Sequence, residues 1–285
     1  MNRSQRGVAL LTVLLIMSLA LLLTASLLRG HRLLLHSTSQ QLEYLLLREA
    51  TLAGETLALA QLREVPLGAD SRVFLAQSWA RDDLRLQLQD VEVKVLIEDL
   101  GGRLNLSSLL DNAGPGTEST ARWVRLMADL QLPAPALAGL VEPLRDVSQL
   151  RLLERMTDAA LSRIEPHVAV LPAHAGLNIN TASTHQLRAL GLPAAVAEGL
   201  VLQRPSSGFA SLAEFIAHPL LDGVAAERLL GREGLALNSR WFRVYSDARL
   251  ADRRLRLISD VQLPARAGPG LLVVQRRLAA PLEDG

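Results

Sequence analysis

The hydrophobic pattern begins with one unbroken apolar run near the start of the chain. Residues 8–28 contain no charged residue, proline or glycine, and as a helix they would extend about 30 Å, the thickness of a bilayer core. Apolar residues then keep a helical spacing on one face as far as residue 64, and no proline precedes Pro66. The pattern predicts one helix from about Val8 to about Glu64, whose first part lies in a membrane.

The spacing of apolar residues changes to two after this helix. Alternate residues are apolar at 84–88 and again at 91–97, which predicts two strands separated near Asp90, each with one buried face. The same alternation returns in later segments, at 241–246, 254–263 and 271–275, with a turn at 251–253. These segments predict further strands of the same kind.

The long stretch between the early and late strands has helical character from about Arg103 to Gly234. Because strands precede and follow this block, we expect it to be inserted into one sheet-bearing domain rather than appended to it. The whole pattern predicts an α+β fold, in which a long N-terminal helix packs on a small antiparallel sheet.

The amino-acid composition argues against several classes of function. The chain has 285 residues, of which 49% are hydrophobic and 3% aromatic, so its apolar content is aliphatic. Its 30 basic and 29 acidic residues give a formal net charge of +1, which argues against nucleic-acid binding through bulk electrostatics. The absence of cysteine excludes disulfides and thiol catalysis. The six histidines show no short metal-ligand spacing, so we expect no enzymatic activity.

Gly7 stands between a short polar leader and the apolar run, MNRSQRG followed by VALLTVLL. A secretory signal is cut after its apolar region, whereas here the small residue precedes it. The arrangement resembles the class III signal of type IV pilins and type II secretion pseudopilins. That resemblance implies cleavage by prepilin peptidase between Gly7 and Val8, and N-methylation of Val8. An ordinary signal anchor and a cleaved secretory signal are the alternatives.

The fifth residue of that mature chain is Thr12, where the pilin class usually has glutamate. In a filament this glutamate is thought to neutralise the terminal amine of a neighbouring subunit inside the apolar helical bundle, where an unpaired charge is costly. We therefore interpret a subunit that lacks it as suited to the end of a filament rather than to repetition along it.

Three stretches are similar to the protein K family of type II secretion minor pseudopilins. The first is the N-terminal segment, because a residue other than glutamate at the fifth mature position is common in this family. The second is IEDLGGRLNLSSLL (97–110), and the third is LNINTASTHQLRALGLP (177–193) with its continuation QRPSSGFASLAEF (203–215). The resemblance implies a pseudopilin fold with a large all-α insertion of the helix-hairpin-helix-like or SAM-like kind.

The resemblance also implies domain boundaries, a role and partners. The segments are a prepilin leader (1–7), the transmembrane part of the helix (8–28), the pseudopilin helix and first strands (29–100), an inserted α-helical domain (101–235) and C-terminal strands (236–285). The implied role is that of a minor pseudopilin at the tip of the secretion pseudopilus, initiating or capping the fibre during export across the outer membrane. The implied location is the bacterial inner membrane, single-pass, with the soluble domain in the periplasm. The implied partners are the I- and J-type minor pseudopilins, the major pseudopilin, prepilin peptidase and the inner-membrane assembly platform.

The third stretch also supports an alternative function. Ser183 with Gln186, and Ser211 with Glu214, have the spacing of capping boxes, which predicts two helix starts. A membrane-anchored helix-hairpin-helix DNA-binding protein of a competence or type IV pilus-like system would use such helices. The hairpin at 190–195 has one glycine, a proline and no lysine. This composition favours a structural use of the hairpin over phosphate binding.

Calcium binding is known in the family, so the resemblance implies a calcium ion. Oxygen ligands flank a glycine-proline loop, and the candidates are Asp111, Asn112, Glu118 and Asp129. Their spacing is not that of an EF-hand, and a loop without metal is an equally good interpretation.

Other polar groups have structural interpretations. Glu98 and Asp99 are predicted to form a solvated strand end, and Asn178, Asn180 and Thr181 to bond local backbone. Four arginines lie at the predicted hairpin tip, namely Arg249, Arg253, Arg254 and Arg256. We interpret them as solvating a sheet edge, with an acidic partner surface as the alternative.

Overall fold

The computed structural model describes residues 3–68, 71–81, 84–111, 118–137, 144–223, 234–265 and 270–279, and it describes only the backbone of 3–12, 32–34, 111 and 119. The helices are α1 (Arg3–Leu62), α2 (Leu106–Asp111), α3 (Glu118–Asp129), α4 (Asp158–Ile164), α5 (Thr184–Ala189), α6 (Ala194–Leu202) and α7 (Leu212–Ile216). The strands are β1 (Arg85–Leu88), β2 (Val91–Asp99), β3 (Leu104–Asn105), β4 (Val168–Ala169), β5 (Leu177–Asn178), β6 (Leu235–Ala236), β7 (Trp241–Leu250), β8 (Arg253–Gln262) and β9 (Leu272–Ala279). Short 3₁₀ turns lie at Ser78–Ala80, Leu100–Gly102, Val147–Leu152, Glu165–His167 and Pro219–Leu221.

Helix α1 confirms the single long helix expected from the apolar pattern. It ends at Leu62, before Pro66, which could not continue the helical hydrogen bonding. Its second half packs on one face of the sheet through buried side chains at helical spacing, namely Leu47, Ala50, Ala58 and Leu62. Gly54 brings the helix close to the sheet, because a Cβ at this position would overlap Ser246 Oγ.

The main sheet has the strand order β1-β2-β7-β8-β9, and every neighbouring pair is antiparallel. Strands β2 and β7 are hydrogen-bonded neighbours, with Asp99 opposite Phe242 at one end and Glu92 opposite Arg249 at the other. The helical block therefore leaves the sheet at Asp99 and rejoins it at Trp241, which confirms an insertion between adjacent strands. Strands β7 and β9 extend beyond the predicted segments, to Leu250 and Ala279.

The inserted block has its own apolar cores. One includes Trp123, Leu126, Met127, Leu150 and Ile164, and another includes Leu187, Leu200, Phe209, Phe215 and Leu221. The block is not purely helical, because β3 pairs with β4 and β5 pairs with β6, each as a two-residue parallel pair. Pairs this short show no alternation, so periodicity cannot predict them.

The two predicted helix caps have different outcomes. The Ser211 side chain accepts from Glu214 N at 3.0 Å, and Glu214 Oε2 accepts from Ala210 N at 2.6 Å, close to the predicted reciprocal pattern. Ser183 is the N-cap residue of α5, but its side chain makes no cap hydrogen bond. The predicted Ser183–Gln186 capping box is therefore wrong. Gln186 is buried and donates instead to His167 O at 2.7 Å, across the domain.

Candidate assembly site

The first half of α1 is not packed against the rest of the described chain. The described side chains from Val13 to Leu46 are exposed, except that Glu43 is half-buried. Leu47 is the first buried residue among the described side chains of α1. At 1.5 Å per residue, this part of the helix is about 50 Å long. Among the described residues, one helix is long and apolar enough to cross a membrane, and it is α1. The exposed part of α1 (residues 13–46) is therefore one surface that a membrane or another subunit can cover.

The predicted processing residues lie in the first turns of this helix. Gly7, Val8 and Thr12 all belong to α1, and their side chains lie outside the part of the chain that the structure describes. Cleavage after Gly7 and the role of Thr12 remain predictions.

The hairpin between β7 and β8 contacts α1 at Glu43, near the end of the exposed part of the helix. Arg253 Nε lies 2.9 Å from Glu43 Oε2, and Arg256 binds both carboxylate oxygens of Asp247 at 2.5 Å. Arg253 and Arg256 of the arginine cluster are thus paired with carboxylates within the chain. Ser259 of β8 also donates to Glu55 of α1 at 2.8 Å, so the Arg253 and Ser259 contacts together hold β8 beside the helix.

The junction between sheet and insertion is built around the buried carboxylate of Asp99. It accepts from Gly101 N at 2.8 Å, Asn178 Nδ2 at 2.8 Å and Thr181 Oγ1 at 2.6 Å, and also from Ser239. Burial raises the pKa of Asp99 above its ordinary value, while these donors act in the opposite direction. The prediction of a solvated strand end is wrong for Asp99, because the insertion covers the end of β2.

Two asparagines of the LNINTAS segment complete this junction. Asn178 Nδ2 also donates to Val73 O at 3.0 Å, and its Oδ1 accepts from Asn180 N at 3.1 Å. Asn180 Oδ1 accepts from Phe209 N at 2.7 Å. The prediction that these side chains bond only local backbone is therefore incomplete. Their longer contacts connect the insertion to the chain before β1 and to the loop preceding α7.

The LGGRLN segment makes the corresponding contacts from the other side. Asn105 Oδ1 accepts from Leu171 N at 3.1 Å, and its Nδ2 donates to Pro172 O at 2.8 Å. The side chain of Arg103 pairs with Glu98 and donates to Glu165 O at 3.3 Å. The two internal stretches that carry the family resemblance thus face each other across one junction. Their polar residues hold the insertion on the sheet.

The calcium candidates do not form a site among the residues described. Glu118 accepts from Arg125 Nη1 at 2.9 Å, and Asp129 binds His185 Nδ1 at 2.5 Å and also Arg188. The two carboxylates are at opposite ends of α3, about 16 Å apart at 1.5 Å per residue. They do not fit one shared ion, because each is neutralised by its own cation. The Asp111 side chain and Asn112 lie outside the described residues.

The turn between α5 and α6 uses its own amides for hydrogen bonds within the fold. The amides of Leu190, Gly191 and Leu192 donate to carbonyls of residues 186–188 at 3.1, 2.8 and 3.4 Å. Arg125 of α3 donates to Ala189 O at 3.2 Å and covers one side of the turn. Amides that already have partners are poor phosphate ligands. This geometry supports a structural use of the hairpin over DNA binding.

These features together define a class of protein. A long N-terminal helix that is exposed and apolar in its first half and packs its second half on an antiparallel sheet is the architecture of a pseudopilin. The helical insertion between two adjacent strands distinguishes this chain from a pseudopilin with a sheet alone.

Comparisons with known proteins specify the family. A family model for "Type II secretion system (T2SS), protein K" matches residues 177–232. The type II secretion system protein K of Pseudomonas aeruginosa is 32% identical, covering 92% of this chain and 90% of the relative. That of Klebsiella pneumoniae is 29% identical, covering 97% of each. The chain belongs to the type II secretion system protein K family and is a minor pseudopilin of that system.

A solved structure has the same fold. The chain is similar to a chain in the crystal structure of the GspK-GspI-GspJ complex from the type 2 secretion system of enterotoxigenic Escherichia coli, with a TM-score of 0.69 and 24% identity. The similarity covers 86% of this chain and 99% of the other. It supports the fold assignment, including the inserted domain.

Sequence reasoning missed the ionic contacts of the last strand. Arg276 of β9 binds Glu55 of α1, with Nη2 to Oε1 at 2.7 Å. Arg277 lies 3.0 Å from Glu165 and 3.4 Å from Asp146 of the insertion. Glu55 is buried, but other charged residues at similar spacing on α1 are exposed. The sequence pattern therefore does not distinguish Glu55 from them. Only the position of β9 in the sheet identifies its partner.

Proposed function

We propose that this minor pseudopilin lies at the tip of the pseudopilus, where its inserted domain prevents addition of another subunit. It is held in the inner membrane by α1 before assembly, and its soluble part is in the periplasm. It acts as a structural subunit rather than as an enzyme. Its partners are the I- and J-type minor pseudopilins, the major pseudopilin, prepilin peptidase and the assembly platform.

The observation that carries this proposal is the position of the insertion relative to α1. At one end of the sheet, Arg253 contacts Glu43 of α1. At the other end, the ring centroids of Trp79 and Phe242 are 5.1 Å apart, and both residues belong to the same apolar core as Leu62, the last residue of α1. Asp99, opposite Phe242, is the point at which the insertion leaves. The insertion is therefore at the end of the soluble domain that lies farthest from the membrane helix. A subunit added above would meet this domain.

The contacts of the junction support a rigid cap. The insertion is fixed by the Asp99 hydrogen bonds at its root and by Arg277 near Asp146 and Glu165. A domain attached through several hydrogen bonds and ion pairs, of which those of Asp99 are buried, resists displacement by an incoming subunit, because these contacts would have to be broken together.

Thr12 supports the same position by a separate argument. A threonine has no carboxylate with which to neutralise a neighbouring subunit's amine within an apolar helical bundle. Such a subunit is poorly suited to the middle of a fibre, where each helix needs that pairing.

The partners are inferred from the exposed part of α1 and from the relative. The exposed apolar half of α1 needs other helices to cover it outside the bilayer. The relative in the solved structure is part of a complex named GspK-GspI-GspJ. We infer that this chain assembles with the corresponding two subunits of its own system.

The test is a deletion of residues 103–234 from the full chain. The remaining residues can connect β2 to its neighbour β7, so the sheet is retained. Pseudopili would be measured by electron microscopy in cells that overproduce the major pseudopilin. We expect the deletion variant to insert into the membrane and bind the I- and J-type subunits, while the fibres become longer than those formed with the full chain. Fibres as short as those with the full chain, made with a variant that still binds its partners, would show that the insertion is not the cap.

A further inference from the structure

Strand β9 is an edge of the main sheet that carries exposed apolar side chains. Within the described residues it pairs with β8 alone, and none of its residues is buried. Leu272, Val274 and Leu278 are 58%, 60% and 50% exposed. An uncovered strand edge with apolar side chains is a template to which another extended segment can add by main-chain hydrogen bonding.

The charges of β9 do not protect this edge. Arg276 and Arg277 are adjacent, so their side chains point to opposite faces of the sheet. Arg276 binds Glu55 of α1 on one face, and Arg277 binds Asp146 and Glu165 of the insertion on the other. Both cations are therefore neutralised within the chain. The same pairs connect β9 to α1 on one face of the sheet and to the insertion on the other.

A groove lies between β9 and the insertion. It has a volume of about 680 Å³, and its apolar wall includes Leu110, Leu144, Val170, Leu171 and Val274. Arg145 lies at the same groove and is exposed, and its guanidinium forms no hydrogen bond or ion pair with the described residues. The neighbouring Asp146 is already paired with Arg277. The groove thus combines an apolar wall with one positive charge that an incoming carboxylate could neutralise.

The edge of β9 also lies next to the exposed part of α1. Leu278 pairs with Leu257, which lies along β8 between Ser259, bound to Glu55, and Arg253, bound to Glu43. The end of β9 is therefore beside α1, close to the point at which the helix becomes exposed at Leu46. A subunit that covers the exposed part of α1 would also reach β9.

We propose that β9 is a docking strand for another minor pseudopilin. An extended segment of the partner pairs with the β9 edge, places apolar side chains in the adjacent groove and directs an acidic residue at Arg145. This inference rests on the proposed function, because it assigns the contact through which a partner of the tip complex is held.

Photocrosslinking of the full chain in membranes tests the docking strand. p-Benzoylphenylalanine would replace Leu272 or Leu278 in cells that produce the cognate I- and J-type subunits. The control is the same replacement at Leu88, which is on the opposite edge strand β1 and is 36% exposed. We expect adducts with one partner subunit from both β9 positions and none from Leu88, and mass spectrometry should locate them in an extended segment of the partner containing Asp or Glu.

A charge reversal provides the second measurement. We expect Arg145→Glu to lower the yield of these adducts about tenfold by like-charge repulsion, and reversal of the partner's acidic residue to restore it. Adducts confined to this chain's own residues, or equal yields from Leu88, would overturn the docking strand. If affinity capture still recovers the I- and J-type subunits in that case, the proposed function stands and only this inference fails. Loss of both partners from the full chain would instead contradict the proposed function.

Discussion

The carboxylate of Asp99 and the side-chain amide of Asn178 are 2.8 Å apart, although 79 residues separate them in the sequence. Asp99 is the last residue of β2, and Asn178 ends β5 within the insertion. The same amide donates to Val73 O, ahead of β1. One buried pair therefore connects the sheet, the insertion and the segment after α1, and fixes the orientation of the proposed cap.

Replacement of Asp99 tests the strength of this junction. Each carboxylate oxygen accepts from an N–H group that can only donate, Gly101 N on Oδ1 and Asn178 Nδ2 on Oδ2, so in either orientation the amide of Asp99→Asn would place its own N–H groups against a donor. We expect a loss of about 1 to 3 kcal/mol in the free energy of unfolding, measured by chemical denaturation of the full chain in detergent micelles. The matched control is Asp252→Asn in the exposed turn of the β7–β8 hairpin. Equal stability of the two variants would show that the Asp99 contacts contribute nothing.

The close approach of α1 to the sheet gives a second prediction. A Cβ on Gly54 would overlap Ser246 Oγ and lie 2.8 Å from Val93 Cγ1, whereas a Cβ on Gly30 would meet nothing within 4 Å. Overpacking outweighs the helix-propensity gain of alanine, so we expect Gly54→Ala to cost about 1 to 2 kcal/mol. Gly30→Ala, the control on the same helix, should leave the unfolding of the soluble domain unchanged. A Gly54→Ala protein as stable as the parent would mean that the helix can move away from the sheet.

The long elements were predictable because many residues repeat one period. Helix α1 keeps its apolar face over several turns, and β2 alternates over nine residues, whereas the alternation of β7 is interrupted by three consecutive buried residues at 242–244. The two internal segments that carry the family resemblance, 97–110 and 177–193, could be recognised from the sequence. Their contacts with each other could not be predicted from it. Asn178 and Asp99 meet only because β2 ends where the insertion begins, a consequence of strand order.

The ion pairs of β9 were even less predictable from the sequence than the contacts of Asn178. Glu55 and Arg276 are separated by 221 residues, and each is one of many charged residues on an amphipathic element. Burial alone raises the pKa of Glu55, yet the hydrogen bonds and charge of Arg276, together with Ser259, lower it below the ordinary value. No local pattern distinguishes this carboxylate from exposed glutamates of α1 such as Glu49. Its role depends on which strand lies beside the helix.

The acid stability of the insertion depends on His167. Burial lowers its pKa to about 4, and the charges of His185 and Arg103 act in the same direction. Below pH 6.5 the unfolded chain takes up a proton that the folded chain does not take up until about pH 4. Stability is therefore fully present above pH 6.5 and falls as the pH decreases toward 4, by about 2 to 3 kcal/mol.

The measurement for His167 is urea unfolding at pH 7 and pH 4.5. His167→Asn should reduce the difference between the two values, because asparagine does not titrate. NMR titration of the labelled full chain gives an independent value for the same ring. A His167 midpoint near 6.5 would contradict the prediction.

Calcium remains a prediction from the family resemblance, and the structure limits where it could bind. If a structural calcium ion is present, a chelator should lower the melting temperature of the full chain, and added calcium should restore it. Glu118→Gln and Asp129→Asn should leave that response intact, because arginines already neutralise both carboxylates. An unchanged melting temperature with chelator would exclude a structural calcium ion, and loss of the response in either variant would assign that residue as a ligand.

The processing signal gives the last prediction. A peptidase that accepts only glycine before the cleaved bond leaves no room there for the Cβ of alanine, and Gly7 stands between the polar leader and the apolar run. We expect Gly7→Ala to block processing, so that mass spectrometry finds the precursor with its leader and an unmethylated N-terminus. The matched control is Gly30→Ala, which makes the same chemical change on the same helix beyond the apolar run and should give a mature chain that begins with N-methylated Val8. If Gly7→Ala were processed as fully as the parent, cleavage would not depend on Gly7 and the prepilin interpretation of this N-terminus would be wrong. The argument that Thr12 is the fifth mature residue would then be lost as well, leaving the inserted domain as the sole support for a position at the tip.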